Sequence, residues 1–379
     1  MSWKNVALGE VCIVKRGTTI TLKEAIDGEI PVVAGGLKPT YYHNLANRLG
    51  NTITISGSGA NAGFVNFWNQ PIFASDCSTV EIINNKLDIT YVYYFLLSKQ
   101  QYIYNELRSG AAQPHVYGKD IAKIVISVPP IAIQHKIVAK LDAIFAEIDI
   151  ATAAAETNAN NAEALFQSYL SKIIQKNSEN SKVVKLGMIC EIARGGSPRP
   201  IDKFITDDKD GINWIKIGDA TRSKKYIFET REKIIKDGVS RSRLVQDGDF
   251  LLSNSMSYGR PYIMRTTGCI HDGWLVLSKY QEFLDIDYFY FLLSSAIVVK
   301  QFDNLAQGST VSNLNKELVS RVEVRLPSLS NQKLIVSKLN LLTDNIDIVK
   351  NSYNNKIREL LKFKQSILQK AFSGELVKD

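Results

Sequence analysis

The sequence contains an internal repeat, and this repeat limits the folds that the chain can adopt. The stretch VPPIAIQHKIVAKLDAI begins at Val128, and LPSLSNQKLIVSKLNLL begins at Leu326. With Gly110 placed on Gly308, the match continues without a gap to about residue 174 of the first copy. A duplication on this scale predicts two related structural units rather than one mixed core.

The starts of the two copies also match, whereas their middles do not. LGEVCIVKRG (8–17) matches LGMICEIARG (186–195), and YYFLLS (93–98) matches FYFLLS (289–294). Between these segments each copy has its own sequence, and the second middle is the longer one. The two copies therefore share a frame, which consists of their matching starts and ends, and differ in the segments between them.

Each copy ends in a predicted long helix, over residues 131–176 and 329–372. Apolar residues recur there at helical spacing, and no proline or glycine interrupts either run before Gly374. The recurring residues are Ile137, Leu141, Ile144, Ile148, Leu165, Tyr169 and Ile173 in the first run, and Ile335, Leu339, Leu342, Ile346, Leu360, Ile367 and Leu368 in the second. Helices of roughly 45 residues would each extend about 65 Å.

A helix of this length cannot bury its apolar stripe against one small domain, so each helix is expected to pair with the other. Antiparallel packing into a coiled coil is the simplest arrangement for two copies joined through a domain. The alternative is two separate surface helices, each lying on its own domain. The weakly apolar stretch 151–163 is either a zone of close packing or a bend.

The segments before the helices are predicted to be mixed, β-rich domains, here called the first head (residues 1–130) and the second head (183–328). Short β-type runs such as TITIS and NWIKIG alternate with glycine turns, and each head has one obvious helix, around YYFLLS and FYFLLS. The predicted fold class is therefore α+β. Two β-rich mixed domains alternate with helical segments at 131–182 and 329–379, which gives a pseudo-twofold repeat.

Catalytic motifs are absent from the sequence, and its composition fits a cytoplasmic protein. There is no phosphate-binding loop, nucleophile elbow or zinc-protease motif, and no catalytic residue or metal ligand is assigned. The four cysteines are scattered and are expected to be free thiols, and no window is apolar enough to span a membrane. The net charge of +8 permits a polyanionic partner.

Candidate DNA-contacting residues lie in the glycine-rich loops and basic clusters of both heads. Lysine and arginine bind phosphates and guanine, and serine, tyrosine and asparagine suit phosphate and base-edge contacts. A solvated surface is the alternative explanation for any one of them. The candidates are Lys38, Tyr41, Tyr42, Ser58 and Asn61 in the first head, and Arg199, Lys216, Arg222, Lys224, Arg241, Arg243, Ser255, Ser257, Tyr258 and Arg260 in the second.

The layout resembles the DNA specificity subunit of Type I restriction-modification enzymes. The resemblance covers nearly the whole chain. It rests on WKNVALGEV and VVKLGMIC opening the heads, on the two proline-led phrases opening the helices, and on KQSILQKAFSGELV near the C-terminus. The two heads resemble two different classes of target recognition domain. The resemblance rests on NTITISGSGANAGFVNFWNQ in the first head and on VQDGDFLLSNSMSYGRPYI in the second.

The resemblance implies a non-catalytic protein that reads double-stranded DNA. Each head would contact one half of a split, asymmetric site, and the coiled coil would hold the halves apart. Two methyltransferase subunits, which bind S-adenosylmethionine, would dock on the helices, and restriction–translocase subunits would complete the enzyme. The chain itself would bind no cofactor.

Three alternatives stay open at this point. The chain could belong to a fused system or to one that only guides methylation, because that difference lies in neighbouring proteins. It could be a two-headed protein-interaction scaffold, in which case salt-dependent DNA binding would be missing. It could also be a nuclease, which DNA cleavage by the purified chain with magnesium would reveal.

Overall fold

The computed structural model describes residues 3–39, 41–83, 85–110, 112–177, 181–254, 258–307 and 313–377. Within these ranges no helix is both long enough and apolar enough to cross a membrane. By their internal contacts the residues form two compact units, Met1–Glu156 with Asn354–Asp379, and Thr157–Tyr353. Each unit thus contains one head and a part of each long helix.

The described residues of the first head form nine short strands and four helices, and the head leads into the first long helix. In chain order these elements are β1 (Lys4–Ala7), α1 (Leu8–Val11), β2 (Cys12–Arg16), β3 (Ile30–Val33), β4 (Tyr42–His43), β5 (Thr52–Ser56), β6 (Val65–Trp68), β7 (Phe73–Ala74), β8 (Cys77–Ile82), α2 (Ile89–Ser98), α3 (Gln100–Glu106), α4 (Gly118–Ile121), β9 (Val125–Val128) and the long helix α5 (Ile131–Asn177).

The second head repeats this frame with more strands in the middle. Its elements are β10 (Lys182–Lys185), α6 (Leu186–Ile189), β11 (Glu191–Arg194), β12 (Ile205–Thr206), β13 (Ile212–Ile215), α7 (Ile217–Arg222), β14 (Tyr226–Ile227), β15 (Glu232–Ile234), β16 (Arg243–Val245), β17 (Phe250–Ser253), β18 (Pro261–Met264), β19 (Gly268–Ile270), β20 (Trp274–Ser278), α8 (Ile286–Ser294), α9 (Ala296–Gln307), α10 (Lys316–Ser320), β21 (Glu323–Leu326) and the long helix α11 (Leu329–Phe372).

The sheets explain why the starts and ends of the two copies match. In each head the opening strand pairs antiparallel with the strand that precedes the long helix, β1 with β9 and β10 with β21. The main sheets have the orders β2-β8-β5-β6 and β11-β20-β17-β18-β14, so β8 and β20 occupy equivalent interior places. A smaller sheet accompanies each, β4-β3-β7 in the first head and β12-β15-β13-β19-β16 in the second.

Pairing is mostly antiparallel, as the sequence predicts, but three strand pairs run parallel. These are β3 with β7, β13 with β19, and β14 with β18. Each parallel pair joins strands that are far apart in the chain, which local alternation of polar and apolar residues does not reveal. The main sheets of both heads nevertheless keep the same antiparallel centre.

The two long helices run antiparallel in both units, which confirms the predicted pairing. In the first unit Lys140 Nζ donates to the Leu376 carbonyl, and Lys364 Nζ lies 2.8 Å from Asp149. In the second unit Lys350 Nζ lies 2.5 Å from Glu163. Between the two ion pairs the numbering rises by 14 in α5 and falls by 14 in α11, so the register does not slip.

The apolar stripe of the long helices is predicted correctly at most positions and wrongly at two. Ile137, Leu141, Ile335 and Leu339 are at most 1% exposed, whereas Leu165 is 62% exposed and Tyr169 is 42% exposed. Leu170 and the half-buried Phe166 face the core of the second unit instead. Helix α5 continues through 151–163 with Ala155 and Ala162 buried, as expected for a zone of close packing.

One glutamine in each long helix holds that helix to its head. The Gln134 side chain donates to the Lys86 and Pro129 carbonyls and accepts from the Asp88 amide, at 2.8–2.9 Å. Gln332 does the same with Phe283, Pro327 and Asp285. Both side chains are fully buried. This pair, here called the glutamine clamp, explains why glutamine recurs at the start of both helices.

Replacing Gln134 or Gln332 by leucine is expected to destabilise the chain by about 3 kcal/mol or more. The substitution removes three hydrogen bonds to the main chain, one buried and two partly buried, and the loss of each costs roughly 1–3 kcal/mol. Urea unfolding should show the loss for either variant. Gln369→Leu, at an exposed position of α11, is the control, and its midpoint should not move. Equal stability of all three variants would contradict the role of the clamp.

The obvious helix of each head is in fact two helices, which differs from the single helix that the sequence predicts. In the second head Ser295 leaves helical geometry between α8 and α9, and its hydroxyl donates to the Leu292 carbonyl. Asp88 and Asp285 cap the first helix of each pair by accepting backbone amide hydrogen bonds. A serine hydroxyl that bonds a carbonyl of the preceding turn competes with the helical hydrogen bonds, so α8 ends at this position and α9 begins after it.

All four cysteines are free and buried, as the sequence predicts. Burial raises the pKa of the Cys12, Cys77 and Cys190 thiols to about 12 and also raises the pKa of Cys269. Because the thiolate is the reactive species, we expect no rapid reaction with a thiol-specific disulfide reagent at about pH 8 in the folded state. All four should react in denaturant. Fast modification of the folded chain would contradict the burial.

Candidate nucleic-acid interface

The candidate loops of both heads lie at the end of the main sheet that points away from the long helices. In the first head β8 ends at Ile82, and the chain then reaches Asp88, which the glutamine clamp binds. The opposite end of the sheet, here called the far end, holds the start of β8 and the ends of β2 and β5. In the second head the start of β20 and the ends of β11 and β17 define the same far end.

Two candidate loops of the first head meet at the far end. Lys38 is exposed in the loop after β3, and this loop passes so close to the next that a Cβ on Gly35 would lie 2.5 Å from the Ser58 carbonyl. Ser58 and the half-buried Asn61 belong to the turn after β5. The structure therefore brings Lys38, Ser58 and Asn61 to one surface.

The two candidate tyrosines of the first head have different surroundings. The Tyr41 hydroxyl donates to the Ile20 carbonyl at 2.6 Å, which fixes the loop after β2. Tyr42 is 52% exposed at the start of β4 and is free to touch a ligand. Of the two, Tyr42 is the better candidate for a direct contact.

Four candidates of the second head gather around one turn, residues 271–273, at the far end. Arg199 and Lys216 line a cavity of about 840 Å³ whose wall includes Trp214 and His271. Lys216 pairs with Glu232 at 2.5 Å, and Arg199, which is 83% exposed, lies 3.7 Å from Asp272. These are weak or solvent-facing ion pairs, which DNA phosphates can replace at little cost.

Arg241 and Arg243 complete this group. The Arg243 Nε donates to the Arg194 carbonyl at 2.8 Å, in the strand that leads to the Arg199 loop. The Arg241 guanidinium lies over the Phe204 ring, 5.5 Å from its centroid. The far end of the second head is thus rich in arginine, which suits contacts with DNA.

The other candidates of the second head are divided between the connection from β17 to β18 at the far end, the surface near α7 and α11, and residues outside the described ranges. Arg222 pairs with Asp219, whose carboxylate also accepts from the Lys216 amide. Lys224 pairs with Asp347 of α11, so Lys224 lies toward the long helix rather than in the group around the turn. The Tyr258 hydroxyl donates to Asp303 at 3.1 Å, and Arg260 is exposed before β18. Ser255 and Ser257 lie outside the described residues.

The neighbour of Lys224 has a structural role that sequence reasoning missed. Lys225 Nζ lies 2.5 Å from Asp287 and 4.8–5.4 Å from the ring centroids of Tyr226, Tyr290 and Phe291. Its side chain is only 19% exposed. The basic run TRSKKY is therefore partly a joint between the second head and helices α8 and α11, held by cation–π and ionic contacts.

An aspartate at the far end of each head was also missed. Asp76 directly precedes β8, and Asp272 lies in the turn before β20. His271 and Asp272 both lie in this turn, between β19 and β20, and their side chains are 4.0 Å apart. Burial lowers the pKa of His271, and the Ser197 hydroxyl bond lowers the pKa of Asp272, so near neutral pH the imidazole is uncharged and the carboxylate is ionised.

Comparison with known proteins agrees with this two-headed arrangement. The family model described as Type I restriction modification DNA specificity domain matches residues 1–158 and again 178–359. The chain belongs to this family. The double match falls on the two copies of the repeat, and it confirms the resemblance seen in the sequence.

Two relatives and one solved structure match this chain over most of its length. The MjaVIII specificity subunit of Methanocaldococcus jannaschii is 22% identical over 86% of this chain and 79% of its own length. The EcoDI specificity subunit of Escherichia coli is also 22% identical, over 99% of this chain and 89% of its own. A chain from a structure described as a type I R-M system complex superposes with a TM-score of 0.74, at 19% identity, over 99% of this chain and 98% of that one. The last comparison confirms the α+β fold.

Proposed function

We propose that the chain is the non-catalytic DNA-reading subunit of a Type I restriction-modification enzyme, with each head contacting one half of a split site. One observation carries this proposal. The two heads have the same frame and the same far end, but the loops at that end have different sequences. Scaffolds that keep their frame and vary their loops are typical of recognition modules. Since the loops differ, the two half-sites differ, and the whole site is asymmetric.

The charge at the far ends supports DNA as the ligand. Arg199, Lys216, Arg241 and Arg243 surround one turn of the second head, and Lys38 is exposed in the first. Phosphate contacts from such residues would fix each head on the duplex, and neighbouring side chains would read base edges. Binding should therefore weaken steeply as salt rises.

The helix pair supports the docking of two copies of one partner. Ile150 and Ile348 occupy equivalent positions of the repeat and are 64% and 67% exposed, and the equivalent Leu165 and Phe363 are 62% and 51% exposed. In the first unit Ile150 and Phe363 are the chain neighbours of Asp149 and Lys364, which form an ion pair. In the second unit Leu165 follows Glu163 and Ile348 precedes Lys350, and Glu163 and Lys350 also form an ion pair. Each unit thus offers a pair of exposed apolar side chains at equivalent positions of the repeat to a partner.

The partners in this proposal are two methyltransferase subunits, with restriction–translocase subunits completing the enzyme in the cytoplasm. The methyltransferases would bind S-adenosylmethionine, and each would methylate an adenine turned out of the helix in one half-site. The chain's own residues would bind DNA, orient it and hold the two partners. A partner of this kind makes the absence of catalytic motifs in the chain understandable.

Mapping adenine methylation across the genome, in source cells with and without the gene, tests this function. We expect a split, asymmetric methylated motif that disappears on deletion and returns when the gene is restored. Salt-dependent binding of the purified complex to that motif should follow. An unchanged methylome, together with DNA binding that is absent at low salt, would favour a protein-interaction scaffold instead.

A further inference from the structure

The far ends of the two heads share a serine–aspartate pair. In the first head the Ser58 hydroxyl donates to Asp76 Oδ2. In the second the Ser197 hydroxyl donates to Asp272 Oδ1 at 2.7 Å. Ser58 follows β5, whereas Ser197 follows β11, which corresponds to β2 of the first head. The two heads therefore hold a carboxylate at the same place through serines from different loops.

The backbone around each aspartate is also fixed in the same way. The Gly17 amide donates to the Cys77 carbonyl, and the Gly195 amide donates to the Trp274 carbonyl, at 2.8 and 2.9 Å. A Cβ on either glycine would lie 2.1 Å from a backbone oxygen just before the aspartate, that of Ser75 or His271. No side chain fits there. The glycines thus let the chain press against the aspartate turn in both heads.

The surroundings of the two carboxylates do not explain them as ordinary ion pairs. Among the described residues Asp76 takes part in no salt bridge. Asp272 is 45% exposed and lies 3.7 Å from Arg199, and the Arg194 guanidinium bonds its main-chain carbonyl rather than its carboxylate. Each serine occupies one carboxylate oxygen. Each aspartate is partly exposed, so its carboxylate can meet a ligand at the far end.

A carboxylate on a DNA-reading surface is useful for one kind of contact. Phosphates repel it, so it weakens binding that is independent of sequence. In the major groove only exocyclic amino groups, N4 of cytosine and N6 of adenine, can donate to it, and aspartate commonly accepts from cytosine N4. A base that offers only acceptors at that place leaves the carboxylate desolvated and unpaired.

We propose that Asp76 and Asp272 are specificity-determining residues, one for each half-site, and that each accepts a hydrogen bond from the exocyclic amino group of a base. Ser58 and Ser197 are positioning residues that aim the carboxylates. The inference rests on the proposed function, because it requires the heads to read DNA. It adds that one base pair of each half-site is specified by this aspartate, through the amino group of its cytosine or its adenine.

The test replaces the gene by alleles that encode Asp76→Asn or Asp272→Asn and maps adenine methylation across the genome. Asparagine keeps the shape but loses the charge and half of the acceptor capacity. We expect each variant to relax one base pair of one half-site and to leave the other base pairs as selective as before. Discrimination at that position should fall by roughly 5- to 100-fold. The identity of the wild-type base tells the two sources of the amino group apart.

Each head serves as the control for the other. Asp76→Asn should change only one half-site and Asp272→Asn only the other, and Ser58→Ala and Ser197→Ala should relax the same positions more weakly. Methylation that falls evenly across all sequences, or an unchanged motif, would overturn the inference. If the wild-type gene yields no split motif at all, the proposed function fails and not this inference alone.

Discussion

Four residues added to each long helix are expected to move the two methylated half-sites apart by one or two base pairs. The insertions belong between Glu156 and Thr157 in α5 and between Lys356 and Ile357 in α11, midway between the two interhelical ion pairs. Methylation should then be lost at the original spacing and appear at the longer one. Genome-wide mapping of methylated adenine would show both changes in one experiment.

The physical reason lies in two matched helices. Four α-helical residues add about 6 Å and turn the chain by about 40° beyond a full turn. Nearly two base pairs of DNA cover the same distance and turn the duplex by roughly 60° in the same sense. Translation and rotation of the heads therefore stay close to those of the half-sites. Alanine, glutamate and lysine are suitable inserted residues because they favour helix.

A seven-residue insertion at the same two places is the control. It adds about 10 Å, or three base pairs, but turns the helix by about −20° while the DNA turns by about 100°. We expect this variant to methylate poorly at every spacing, although its helices are longer. Unchanged spacing in the four-residue variant would contradict the idea that the helix pair sets the distance between half-sites.

Replacing Ile150 and Ile348 together by aspartate is expected to abolish assembly with the methyltransferase subunits. Both side chains are about two-thirds exposed, so the substitutions leave the core of the chain intact. An aspartate in the centre of an apolar interface places an unpaired charge where water is excluded. We expect affinity for the partner to fall by at least about 30-fold per site.

The two single variants give this prediction its sharpest form. Ile150→Asp should yield a complex with one methyltransferase subunit, and so should Ile348→Asp, because the two positions belong to different units. Native mass spectrometry of the co-purified complexes distinguishes two, one and no partner subunits. Leu49→Asp in the first head, at a side chain that is 81% exposed, is the control and should keep both. Full assembly of the double variant would place the docking surface elsewhere.

The sequence alone predicts the elements that are repeated, because duplication shows them twice. The bounds of both long helices, their antiparallel pairing and the α+β class follow from the matched phrases and an uninterrupted apolar pattern. The spacing of apolar residues does not decide which face of α5 is buried around residues 165–170. Leu165, Phe166, Tyr169 and Leu170 are apolar on two adjoining faces, and the position of the partner helix decides between them.

The candidate interface is harder to predict, because it depends on which loops meet. Arg199, Lys216, Arg241 and Arg243 are far apart in the chain and come together only through the parallel pairing of β13 with β19 and the antiparallel pairing of β16 with β19. Lys224 instead precedes β14, which pairs with β18 in the main sheet, and its Nζ pairs with Asp347 of α11. Asp76 and Asp272 carry no sequence pattern except that each closely precedes a β-type run. DNA contact by the candidate residues stays a prediction.

The glutamine clamp has a consequence for how such a protein can acquire new specificities. Within the described ranges the side chains of Gln134 and Gln332 bond only main-chain atoms. These are the carbonyls of Lys86, Pro129, Phe283 and Pro327 and the amides of Asp88 and Asp285. Main-chain groups are the same in every sequence, so a foreign domain with the same strand-to-helix corner can be grafted without refitting the joint. Recombination between related genes can therefore exchange whole heads, and selection can reshuffle target sites while the joint stays unchanged.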